Sequence, residues 1–270
     1  ALLAGAFLVI SVHAFYLLRD RYVILSQKAL KIALVVATTT ALLQLASGHQ
    51  SADGVAENQP AKLAAFEGHF AESAPADLYL LGWVDKETQT VKGIKLPGGL
   101  SFLVDWNFTT PITGLNAFPE DERPSAVNAV FQFYHIMVAI GMLLILITLY
   151  GTVQWWRGEI FKQRWYLWIL VFAVLLPQIS NQVGWFAAEM GRQPWVVYGH
   201  LRTADALSES VDASSVLFSL IFFTLIYALL FTLFIYLLDK KIKKGPYDES
   251  EIGDRPLLKD IAYQFDNKKS

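Results

Sequence analysis

Five apolar blocks set the terms on which this chain can fold. They cover residues 1–18, 32–46, 127–153, 165–188 and 211–238. Each approaches the roughly 20 residues that a helix needs to cross a bilayer core, except the second, which is short. The first starts abruptly, inside an apolar run. Buried helices of a soluble protein would carry an amphipathic stripe instead. The composition agrees, with 54% hydrophobic residues and only 17% charged, against roughly a quarter charged in soluble domains. The expected fold is therefore an all-α polytopic transmembrane bundle of about five spans with an outer loop lobe. It divides into two spans over 1–47, an outer loop over 48–124, three spans over 125–240 and a tail over 241–270. Ala1 follows no initiator methionine, charged leader or cleavage site, so the chain reads as N-terminally truncated. The absence of cysteine excludes disulfides, iron–sulfur clusters and thiolate-held metals. A net charge of -2 argues against a nucleic-acid partner.

Loop charges give an orientation. Arg19, Arg21, Lys28 and Lys31 occupy the first connector, Arg157, Lys162 and Arg164 another, and Lys240, Lys241, Lys243 and Lys244 open the tail. The connector over 189–213 carries Arg192 and Arg202 against Glu189, Asp205, Glu209 and Asp212. The positive-inside rule places the three basic connectors in the cytoplasm, and five spans put them all on one side. The 48–124 segment then lies on the outer face. Its length marks it as functional or disordered. Trp83, Phe102, Trp106 and Phe108, with turn signals at Pro97-Gly98-Gly99 and Pro111, favour a folded lobe. The tail reads as mobile and cytoplasmic.

Several residues could carry chemistry. Glu189-Met190-Gly191-Arg192-Gln193-Pro194-Trp195 places a carboxylate and a guanidinium where an apolar run ends. Glu189 and Arg192, at i and i+3, share a helix face. They fit either an interfacial ion pair within an aromatic belt that includes Trp185 and Trp195, or a metal-binding carboxylate beside an anion-holding arginine. His135 and Met137, at i and i+2, face different ways and cannot ligate one metal from a regular helix. The Met137 thioether is either a gap-filler or a soft haem ligand. Lys62 and Glu67, on a short alanine-rich helix, are either a solvated pair or two groups edging one pocket that binds a polar headgroup. Of the five histidines, His13, His49, His69, His135 and His200, none falls in a metal-binding spacing. His13 alone lies deep in an apolar run, where a functional role and a helix–helix hydrogen bond are both open.

Three strings, in order, resemble subunit I of the cytochrome bd-type quinol oxidases. Gly48-His49-Gln50-Ser51-Ala52, leading to the run from Gln59 through Lys62 and Glu67 to Gly68, resembles the start of that family's quinol-binding loop, in its short form. Phe133-Tyr134-His135-Ile136-Met137-Val138 resembles its low-spin haem segment, and the run from Gly184 to Trp195 its high-spin haem segment. The resemblance implies that Lys62 and Glu67 contact quinol. It implies that Met137 is an axial ligand of a low-spin haem b, and Glu189 that of a high-spin haem b, with Arg192 close by and Trp185 packed among the haems. A further haem d, or a third b-type haem, would complete the set. The family's axial histidines would precede Ala1, and the place of His13 in the string matches neither. His135 stands where some members carry arginine.

The implied activity is oxidation of ubiquinol or menaquinol and electrogenic reduction of dioxygen to water. The implied setting is the bacterial cytoplasmic (inner) membrane, in contact with lipid. The implied partner is subunit II of the oxidase, with a small single-span subunit as a further candidate. Two rivals stand beside it: a quinol-oxidising b-type cytochrome that does not reduce oxygen, and a non-redox membrane transporter or anchor in which Glu189–Arg192 is a gating pair. The inverted repeat that would favour a transporter is not visible in the sequence.

Overall fold

The computed structural model describes residues 1–208 and 210–246. Among the described residues, four helical segments are long and apolar enough to cross a membrane: Val23–Asn58, Glu120–Trp156, Arg164–Gly191 and Ala213–Lys244. A shorter apolar helix, Leu2–Leu18, precedes them. The chain forms two compact units, the first Ala1–Leu207 and the second beginning at Ser208.

In the first unit, α1 (Leu2–Leu18) and α2 (Val23–Asn58) pack together with the later part of α5 (Val127–Trp156) and with α6 (Arg164–Phe172). Phe7, Ile10, Leu30, Leu34, Leu144, Ile147, Leu167 and Leu170 fill the space between them. Polar groups in this cluster bond across or along the helices. The Tyr166 hydroxyl donates to Ile147 O at 2.7 Å and the Ser11 hydroxyl to Val171 O at 2.7 Å. His13 Nδ1 lies 3.1 Å from Ser26 Oγ, which joins α1 to α2. That is the helix–helix hydrogen bond of the two roles open to His13. Gly151 lies against the Tyr166 hydroxyl so closely that a Cβ there would collide with it.

The block expected over 165–188 is interrupted. A 3-10 turn, Ala173–Leu175, separates α6 from α7 (Leu176–Gly191). Pro177 explains the break, because it has no N–H to offer the carbonyl one turn back and its ring crowds that turn.

Much of the 48–124 segment is ordered. Helix α2 continues unbroken to Asn58, and 36 residues at 1.5 Å per residue give about 54 Å, well beyond a core of about 30 Å. After it, α3 (Pro60–Glu67) begins with proline, whose fixed φ suits a first helical position. Strands β1 (Leu78–Asp85) and β2 (Thr90–Leu96) pair antiparallel, and α4 (Gly99–Asp105) follows. The hairpin adds a small β element to the expected all-α fold.

Strand β1 is fastened to the start of α5. The Val84 N–H donates to Asn128 Oδ1 at 3.0 Å, Gln132 Nε2 donates to Gly82 O at 2.7 Å, and His135 Nε2 lies 2.6 Å from Tyr79 O. Positions i, i+4 and i+7 share one helix face, so three polar side chains on one stripe grip one strand.

In the second unit, α8 (Ala213–Lys244) is apolar on every side until its lysine-rich last turn. A helix hydrophobic all round matches lipid surroundings. Most of the expected tail lies outside the described residues.

Candidate functional site

The expected site residues converge where α3, the first turns of α5 and the end of α7 meet. Ala64, Ala65, Phe66, Val127, Val130, Phe131 and Ala187 form a second apolar cluster there. Phe66 stacks on Tyr134 with ring centroids 4.5 Å apart and planes 7° apart.

Glu67 is 3% exposed, and its Oε2 has no hydrogen-bond partner. Burial alone pushes its carboxyl up to about 8, because desolvation disfavours the charged form. Lys62 faces elsewhere, as five residues along a helix turn a side chain by about 140°. Its ammonium lies 5.7 Å over the Phe66 ring. Burial, and then the neighbouring Arg192, lower the Lys62 pKa against an opposing pull from Glu189. The two groups therefore lean towards exchangeable protons from opposite directions.

Lys62, Glu122, Arg192, Gln193, Trp195 and Tyr198 line a cleft. The loop after α7 shapes it. Thr203 N–H donates to Pro194 O at 2.8 Å, and the Thr203 hydroxyl donates to Gln193 Oε1 at 2.8 Å. The Arg202 guanidinium lies 5.1 Å over Trp195 and donates to Asp121 Oδ2 at 2.8 Å. Trp195 Nε1 is buried and unpartnered. The cleft thus carries two cations, Lys62 and Arg192, and one carboxylate, Glu122, and Arg192 is also paired with Glu189.

Glu189 and Arg192 form the expected ion pair. Arg192 Nε donates to Glu189 Oε2 at 3.0 Å, and its Nη2 meets the same oxygen. Both contacts end on Oε2 rather than Oε1. Trp185 is more than half exposed and its ring lies tilted against Phe186, with centroids 5.5 Å apart. Met137 faces α7, where a Cβ on Gly184 would stand 2.5 Å from its Sδ. The Ser180 hydroxyl donates to Met137 O at 3.3 Å. As their spacing requires, His135 and Met137 point to different neighbours, β1 and α7.

These residues fit haem binding. A thioether and a carboxylate project from the facing helices α5 and α7. Among the described residues, no cluster of three or more His, Asp or Glu could hold a bare metal ion. The stacking of Tyr134 on Phe66, the orphan Trp195 Nε1 and the close approach at Gly184 depend on tertiary packing and carry no local signal. Asn128, Gln132 and His135 were detectable in principle, as a polar stripe on an otherwise apolar helix.

The family model for cytochrome bd terminal oxidase subunit I matches residues 1–246. The chain belongs to that family. It is 38% identical, over 92% of its length, to a Bacillus subtilis (strain 168) chain provisionally named cytochrome bd menaquinol oxidase subunit I, and spans 56% of that relative. It is 34% identical to the cytochrome bd ubiquinol oxidase subunit 1 of the same organism, over 91% of this chain and 54% of the relative. The structure of the bd oxidase from Geobacillus thermodenitrificans superposes with a TM-score of 0.78 at 31% identity, covering 90% of this chain and 56% of that one. The chain thus spans about half the length of these cytochrome bd relatives.

Proposed function

We propose that this chain is the quinol-binding and haem-bearing part of a terminal oxidase subunit, which oxidises quinol and passes the electrons towards dioxygen, reducing it to water. The observation that carries the reading is the sealed carboxyl of Glu67, with one oxygen unpartnered, beside the Phe66–Tyr134 stack. A buried group kept without a partner is expensive, and a quinol hydroxyl would supply one. Glu67 in its protonated form holds the headgroup by a hydrogen bond, and in its ionised form accepts the proton lost on oxidation. Lys62, whose ammonium lies over the Phe66 ring, contacts the same substrate or a haem propionate in the cleft with Arg192 and Trp195.

Met137 would hold the low-spin haem b and Glu189, through Oε1, the high-spin haem b. Haem supplies one-electron transfer when bound. Arg192 keeps the Glu189 carboxylate aimed. A haem d or third b-type haem, subunit II, a small single-span subunit, a multi-pass place in the bacterial inner membrane and a lobe on its outer face complete the proposal. The relatives' names divide between menaquinol and ubiquinol, and both substrates stay in the proposal.

Reduced-minus-oxidised spectra of the full-length complex test this. Bands of b and d haems with quinol-driven oxygen uptake support it. Bands of b alone favour a quinol-oxidising cytochrome, and a spectrum without haem bands overturns the redox reading.

A further inference from the structure

The hairpin has a second face, turned away from α5. Inward, Val84 and Val91 pack with Phe131. Outward, Leu81 pairs directly with Ile94 and Trp83 with Lys92. Trp83 is 64% exposed and Ile94 63%. Leu80, Leu81 and Leu96 are each more than half exposed as well. A two-stranded ribbon that shows this much apolar surface needs an occupant.

Its position along α5 indicates which one. Helix α5 has 30 residues, about 45 Å against a core of about 30 Å, so a good part of it stands outside the core. The uninterrupted apolar run of α5 begins after His135. The three fastening bonds lie before that point and order the strand by depth. Val84 is level with Asn128, Gly82 with Gln132 and Tyr79 with His135. The hairpin therefore runs from the edge of the apolar core outwards.

Its exposed chemistry is graded in the same direction. Leu80, Leu81, Ile94 and Leu96 lie at the deep end, Trp83 and Lys92 midway, and Lys86, Glu87, Thr88 and Gln89 form the turn at the far end. Lys95, at the deep end, is neutralised by Asp77 at 2.6 Å. Helix α4 keeps to the same level. Gly99 backs onto Leu78, and the exposed Trp106 meets His49 of α2 edge-on at 5.5 Å, just past the apolar run of that helix. Apolar, then tryptophan and lysine, then polar is the order found through a membrane interface.

We infer that this face of the lobe is seated in the lipid headgroup layer, with phospholipid as its occupant. The lobe would then be anchored to the membrane surface as well as to α5. The inference rests on the depth order of the hairpin and stands independently of the haem and quinol assignments.

The test uses the full-length oxidase in phospholipid nanodiscs. A nitroxide is attached at Ile94→Cys, at Leu81→Cys and, as the outer reference, at Glu87→Cys, with any other reactive cysteine removed. Collision with dissolved oxygen is compared with collision with an aqueous nickel chelate. Unchanged haem spectra establish that each variant is folded. The expected result is an oxygen-to-nickel ratio severalfold higher at Ile94 and Leu81 than at Glu87. Equal, water-like ratios at all three sites would overturn the inference. So would labels at Ile94 and Leu81 that are immobile and shielded from both agents, which would show a protein cover, either another subunit or a second copy.

Discussion

The two apolar clusters of the first unit are built from similar residues but treat polar atoms differently. In the α1–α2–α5–α6 cluster, Tyr166, Ser11, Ser26 and His13 all have partners. Around the α3–α5–α7 cluster lie the buried side-chain atoms that lack one among the described residues, Glu67 Oε2 and Trp195 Nε1. Sealing a polar group without a bond costs roughly 1–3 kcal/mol. On the proposed function, the first cluster is scaffold and the second is receptor.

The largest expected effect breaks the comparison at its receptor end. Met137→Leu in the full-length complex should abolish the low-spin b signal in reduced-minus-oxidised spectra. An unchanged signal would return Met137 to simple packing. Next, Glu67→Gln should lower quinol-driven turnover by about a hundredfold or more, the scale of a lost acid–base group, while turnover with an artificial donor stays near normal. The same carboxyl gives a pH signature. With its pKa raised to about 8, turnover that needs the ionised form should rise with pH through that value, and Glu67→Gln should flatten the rise. The effect on stability has the opposite sense. The neutral carboxyl suits the folded site, so its contribution is fully present below the ordinary carboxylate pKa and is lost as pH climbs towards about 8.

Scaffold variants should behave differently. Gly151→Ala pushes a methyl group into the Tyr166 hydroxyl and should cost about 1–3 kcal/mol by overpacking, read as a lower melting temperature with unchanged haem bands. His13→Ala is the smallest case. Losing its bond to Ser26 should cost about 1 kcal/mol and leave spectra and turnover alone. A haem-band change in His13→Ala would blur the line between scaffold and receptor.

Legibility followed the same division. The spans could be read because lipid demands long apolar runs, and Glu189–Arg192 because i, i+3 spacing on a helix is a local property. The convergence of Lys62 with Arg192 in one cleft could not be read, since it depends on how α3 docks on α7, 130 residues away in the chain. Lys62 and Glu67 read as a solvated pair or as two groups edging one pocket, and the burial of Glu67 could not be told from their spacing. The β hairpin escaped notice because its strands lack strict alternation. Gly82 and Gly93 sit where inward side chains would be, leaving room for close packing rather than a pattern of hydrophobics. The family resemblance supplied ligand roles that spacing alone leaves open.

The grip of α5 on β1 has a consequence of its own. Asn128, Gln132 and His135 take hold of main-chain atoms, namely the N–H of Val84 and the carbonyls of Gly82 and Tyr79. Such a grip does not depend on which outward side chains the strand carries. The outward residues of the hairpin can therefore be exchanged, and its polar turn lengthened, without loosening the joint. Related chains could diversify the surface of the lobe while three helix residues keep its foundation in place.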